Sequence, residues 1–135
     1  MTDLFKYPPK ILMAFGEAVE GNREIQDWLV NNGYKELAAL AYAIRGSDEA
    51  FTWLLTNGYP HLAALDSAID EKPQAYQWLK DNNFLTHIVF ADACQNKKEA
   101  VEWLMKNNLD MIFRIAVRIK KLRDSHTFDY HKLHF

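Results

Sequence analysis

Four stretches decide the fold when written under one another: residues 28–44, WLVNNGYKELAALAYAI; 53–69, WLLTNGYPHLAALDSAI; 78–94, WLKDNNFLTHIVFADAC; and 103–119, WLMKNNLDMIFRIAVRI. The Trp-Leu pair recurs at a constant spacing of 25, with no insertion between units. Self-similarity at a fixed period of this length marks a repeat array rather than a conventional domain. So short a unit has room for two helices and tight connections between them.

The first helix of each unit is expected at 22–32, 47–57, 72–82 and 97–107. Glu24, Glu49, Gln74 and Glu99 share a column at its start, with Ser47 and Pro73 placing them in the first turn. There a carboxylate meets free backbone N–H groups and the positive end of the helix dipole. The end is marked by Asn32-Gly33, Asn57-Gly58, Asn82-Asn83 and Asn107-Asn108. Gly and Asn are the residues that tolerate a left-handed C′ position. The next residue is always apolar (Tyr34, Tyr59, Phe84, Leu109), and a Schellman ending lays it on Leu29, Leu54, Leu79 or Leu104.

The second helix is expected at 35–45, 60–70, 85–95 and 110–122. Leu37, Leu40, Ala41 and Ile44 fall on one face of a 3.6-residue period. Residues 10–20 match the same columns, so the array opens on a lone second-type helix after Pro8 and Pro9. The fold class that follows is all-α: an α-solenoid of about nine short helices within a single domain. Residues 1–9 form an N-terminal arm, 10–123 the repeats, and 124–135 an aromatic and histidine-bearing tail.

One helix pair cannot bury its own apolar faces, so stacked neighbours supply the core. Two Ala columns (Ala14, Ala39, Ala64; Ala18, Ala43, Ala68, Ala93) permit close approach of the second helices. The Trp column is expected to provide the bulk, so that Trp53→Ala or Trp78→Ala largely unfolds the chain.

Composition removes several function classes. Apolar residues make up 49% and charged residues 25% of the 135 residues, an ordinary globular balance. The net charge of −2 gives no general pull towards nucleic acid. A single cysteine, Cys94, excludes an intramolecular disulfide and a thiolate zinc site, and fits a reducing compartment. The opening MTDLFKYPPKILMAF lacks secretory-signal features, and no apolar run has the length of a membrane span. A cytoplasmic protein with no membrane contact is expected. No phosphate-binding Gly loop, H-E-x-x-H or G-x-S-x-G is present, so no catalytic residue, cofactor or metal is assigned and the chain reads as non-enzymatic.

Function, if visible, lies where columns break. In the last unit the Ala columns become Arg114 and Arg118, within a basic run that includes Lys120, Lys121 and Arg123. That run reads either as a site for an anion, nucleic acid or acidic partner, or as the polar outer face of a terminal repeat. Asp66 stands in a column otherwise holding Gly16, Ala41, Ala91 and Ala116. It is expected to bond to backbone or to a nearby Lys or Tyr at the face edge, with a ligand-binding acid as the alternative. The tail carries His126, His131 and His134 among Phe128, Tyr130 and Phe135, and is expected to dock its aromatics over the open end of the array. His61 and His87 fall out of register and are expected at the surface or an edge.

The run LAALAYAIRGSDEAFTWLLTNGY (37–59) resembles the helical part of an ankyrin repeat. Leu40, Ala41 and Ala43, then Gly46 and Glu49, match that family's small-residue first helix; Ala50, Trp53, Leu54, Leu55 and Gly58 match its second. The T-P-L-H tetrapeptide is absent, and the period is 25 instead of about 33. The missing residues are those of the family's projecting β-hairpin. The resemblance implies partner binding, and without hairpins a partner must use helix faces. The expected function is therefore a protein–protein interaction module, with a protein or peptide partner of unknown identity. Tyr42, Phe51 and Tyr76 are the candidate anchors; Asp66, Arg114, Arg118 and Lys121 are further candidates. The alternative is anion or nucleic-acid binding through the basic C-terminal helix, and the chain is expected to be a monomer or a weak homodimer.

Overall fold

A computed structural model of the chain describes residues 4–133, with side chains described over 4–125. After a 3₁₀ turn (Leu4–Lys6), nine helices follow among the described residues: α1 Pro9–Val19, α2 Arg23–Asn31, α3 Lys35–Ile44, α4 Asp48–Thr56, α5 Pro60–Ile69, α6 Pro73–Asp81, α7 Leu85–Cys94, α8 Lys98–Lys106 and α9 Asp110–Leu133. No strand occurs among these residues.

Junction chemistry sets these boundaries. At the ends of α2, α4, α6 and α8 the C′ residues Gly33, Gly58, Asn83 and Asn108 have φ of 90°, 90°, 62° and 59°. The N–H of Tyr34, Tyr59, Phe84 and Leu109 donates to the carbonyl of Leu29, Leu54, Leu79 and Leu104 at 2.8–2.9 Å, the long bond of a Schellman ending. The Asn before each C′ residue adds a bond unseen in the pattern. Asn32, Asn57, Asn82 and Asn107 donate Nδ2–H to the Trp carbonyl four residues back at 2.7–2.8 Å. At the starts, Asn22 Oδ1 accepts from Ile25 N–H and Ser47 Oγ from Ala50 N–H, two N-caps.

The odd-numbered helices form an inner layer and the even-numbered ones an outer layer. α1, α3, α5, α7 and α9 each pack on the next, and α9 packs back on α1. The array is thus wound so tightly that its ends meet, and the inner helices make a ring. α2, α4, α6 and α8 each bridge two successive inner helices on the outside. The arm crosses one end of the ring: Leu4 is buried, the turn packs on α7, and Tyr7 donates to Glu36 Oε2 at 3.0 Å.

The seam between α1 and α9 is fitted by one exchange of sizes. Arg118 occupies an otherwise small column, and Gly16 stands opposite it on α1. A Cβ at Gly16 would lie 2.9 Å from Arg118 Nη1 and 3.5 Å from Ile115 Cγ1. The guanidinium faces Glu17 at 3.9 Å and Glu20 at 3.4 Å. Gly16→Leu separates a closed ring from an open array. In an open array the change gains helix propensity, up to about 1 kcal/mol. In the ring it overpacks the seam and costs about 1–3 kcal/mol, read as a lower denaturant midpoint.

Three expectations are corrected. The Trp column is not the core: Trp28, Trp53 and Trp78 are half-buried and Trp103 is 41% exposed, whereas Leu29, Leu54, Leu79 and Leu104 are fully buried. Each outer helix turns its Leu inwards, and the indoles of Trp53 and Trp78 lie across the helix end, stacking on Tyr59 and Phe84 at 5.8 and 5.7 Å. Secondly, α9 does not stop near 122 but runs to Leu133. Its predecessors stop at Gly21, Gly46, Glu71 and Asn96, all at positive φ, and Lys121 occupies that column in α9. Thirdly, α9 is not a terminal helix without a successor, because α1 covers it. The docking expected of the tail aromatics concerns side chains outside the described residues.

Candidate functional site

Four inner-helix junctions carry an outer helix; the fifth, between α9 and α1, carries none among the described residues. There the surface is a groove of about 480 Å³. Its apolar lining comes from Met13 and Ala14 of α1, Ile25 and Trp28 of α2, and Met111 and Ile115 of α9. Met13 is 60% exposed, the largest fraction of any described large apolar side chain together with Leu85. Lys10, Glu17, Arg114 and Arg118 complete the lining, and Lys10 Nζ lies over the Trp28 ring at 5.8 Å. An apolar floor edged by cations suits an amphipathic ligand of negative charge.

Arg114 and Arg118, singled out by their columns, meet in this groove. Arg118 is also joined by Lys121 in a smaller cleft of about 240 Å³ with Glu20 and Arg45. The rest of the basic run faces carboxylates: Lys120 pairs with Asp124 at 2.9 Å, and Arg123 with Asp70 at 3.4 Å and Glu71 at 3.7 Å. Sequence inspection missed Lys10, Met13 and Met111, because only closure of the ring brings α1 beside α9.

The aromatic candidates are not brought together. Tyr42 is half-buried on α3. Phe51 packs against the core and lines a separate groove of about 290 Å³ with Leu55 and Trp78. Tyr76 is tied into a polar cluster: it donates to Asp92 Oδ1 at 2.8 Å, accepts from Gln95 Nε2, and lies under Lys97. Burial and the Asp92 bond push its phenol well above the usual range. Gln95 also donates to the Ala68 carbonyl at 3.1 Å, so this cluster ties α7 to the end of α5.

Asp66 sits among the small residues of the ring's central column, where Gly16, Ala41, Ala91 and Ala116 are buried. Desolvation, reinforced by Asp70 and opposed by Lys72 and Arg123, pushes its carboxyl up to about 7. Cys94 is buried, and burial raises its thiol, which is the opposite of activation.

His61 and His87 are buried, not at the surface. The His61 ring stacks on Phe84 at 5.1 Å with 9° between planes, and His87 meets both rings edge-on. Burial holds His61 below the usual histidine value, with Glu36 pulling the other way. A histidine whose folded value is lowered adds stability above its unfolded value of about 6.5, and that stability is lost as pH falls below it. The stability difference between the wild type and His61→Phe should therefore move against the wild type from pH 7 to pH 5, as measured by urea midpoints.

Among the described residues no helix is long and apolar enough to cross a membrane. No protein-family model, curated protein or solved structure matches the chain.

Proposed function

We propose that the chain is a non-enzymatic helical-repeat module, ankyrin-like in its helices, that binds another protein or a peptide. The observation that carries this reading is the seam groove, an apolar concavity with exposed Met13 at the inner-helix junction that bears no outer helix among the described residues. Contiguous exposed apolar surface of this kind is what soluble chains keep for partners. The shortened unit favours helix faces over projecting loops as the contact surface. Anion or nucleic-acid binding through α9 draws less support, because Lys120 and Arg123 already face carboxylates of the same chain and interrupt the basic run.

Affinity capture with the purified chain as bait tests this reading. Each captured protein is purified and titrated calorimetrically against the chain, with one-to-one binding expected for at least one of them. If no captured protein binds after purification, the interaction reading fails. A parallel column of immobilised heparin at low salt tests the other reading: retention abolished by Arg118→Glu with Lys121→Glu would transfer the function to α9.

A further inference from the structure

We propose that the seam groove is the vacant fifth outer position of the ring, and that it takes one amphipathic helix of a partner protein, about nine residues long and acidic in its first turn. This rests on the interaction reading and specifies its surface and ligand. The ring supplies the precedent itself. α2, α4, α6 and α8 are each nine residues long, and each lies across two neighbouring inner helices. The junction of α9 with α1 repeats that seat without its helix.

Polarity and charge fix the chemistry of the guest. Every outer helix begins where the preceding inner helix ends, so a guest lying in the same sense starts beside the middle of α9, where the other inner helices stop. In the repeat register that point follows Ile119, one residue past Arg118, with Arg114 one turn further along the groove. Three of the four resident outer helices carry acid in the first turn: Glu24, then Asp48 and Glu49, then Glu99. An acidic first turn satisfies both its own helix dipole and the groove's arginines. Glu17 and Glu20 already share Arg118, but at 3.9 and 3.4 Å across half-exposed side chains those pairs are weak enough to be exchanged. The guest's apolar face meets Met13, Met111 and Trp28.

The chain's own continuation does not fill the seat. Residues 122–132 fall in register for a fifth outer helix, but α9 passes through them unbroken to Leu133. Asp129 stands in the column of Leu29, Leu54, Leu79 and Leu104, the side chains that anchor the resident helices in the core.

The probe is a fluorescent peptide copying residues 47–59, made helical by a hydrocarbon staple replacing Thr52 and Thr56, and titrated against the full chain by anisotropy. Both stapled positions are exposed in α4, and the copied helix carries Asp48 and Glu49 in its first turn. Saturable one-to-one binding is expected. Met13→Glu and Arg114→Glu should each weaken it by about tenfold or more. Both side chains are exposed, so melting curves of the two variants should overlay the wild type. A peptide with Lys at both acidic positions should bind poorly to the wild type and recover on Arg114→Glu. Absent binding, or binding unaltered by both substitutions, overturns the proposal. A purified natural partner that binds both variants as tightly as the wild type also overturns it, while leaving the interaction reading intact; no partner at all removes both. A wild-type dimer in sedimentation velocity that Met13→Glu dissolves would make the occupant a second copy, against the proposal.

Discussion

Leu79→Ala is expected to remove about 2–5 kcal/mol of stability, out of a total of about 5–15 kcal/mol for a domain of this kind. Leu79 is fully buried, at the point where α6 meets the ring. Truncation leaves a cavity bordered by helices that are held on both sides and have little freedom to collapse into it. Trp78→Ala, one residue away, removes a larger side chain and yet should cost less, about 1–2 kcal/mol, because the indole is half-buried and its loss is mainly a ring stack and partly covered area. Urea denaturation of both variants beside Leu54→Ala and Trp53→Ala gives the comparison. The order Leu before Trp in both units is the expected result. The reverse order would return the core to the indoles.

Asp66→Ala is expected to stabilise the chain, and by an amount that depends on pH. The carboxyl is raised to about 7 in the folded state, chiefly by desolvation. A group raised on folding contributes stability below its unfolded value, and loses it as pH rises through the folded value. The unfolded carboxyl ionises near 3.9, so the penalty grows from about pH 4 and is complete above pH 7. At pH 8 the substitution should gain about 2–4 kcal/mol, or about 10 °C in melting temperature. At pH 3.5 the gain should vanish. Ala is the residue the column already holds at 41, 91 and 116, so the replacement introduces no new volume. Asp66→Asn should reproduce the pH dependence. A gain of equal size at pH 3.5 and pH 8 would mean that ionisation of Asp66 is not its source. His61 titrates in the opposite direction over part of the same range, so wild-type stability alone would blur both effects; each is read as a difference from its own variant.

Part of the site was legible before the fold was known. Arg114, Arg118 and Asp66 stand out as substitutions in columns of small residues; the two arginines meet at the seam groove, whereas Asp66 lies on α5, away from it. Phe51 and Tyr76 stand out by size, but they line separate grooves, and Tyr76 belongs to a hydrogen-bonded cluster joining α5 and α7. Met13 gave no signal, since an apolar residue on a helix is ordinary until the surface around it is known. The histidines misled because a column position reports which face a residue shares, not how deeply that face lies.

What the amino-acid sequence determines by itself is everything local: the helices, their pairing and nearly all their ends. Schellman endings, N-caps and positive-φ positions are each settled within five or six residues of chain, by contacts that do not depend on the rest of the molecule. Even the long run of α9 is written locally, in a lysine where the other units place Gly, Asn or Glu. Only the tertiary structure decides that the array closes. Closure follows from the crossing angles of successive inner helices, set by side-chain volumes packed together, and no single unit contains that sum. From closure come the burial of Gly16 against Arg118, the pairing of α9 with α1, and the groove left at their junction.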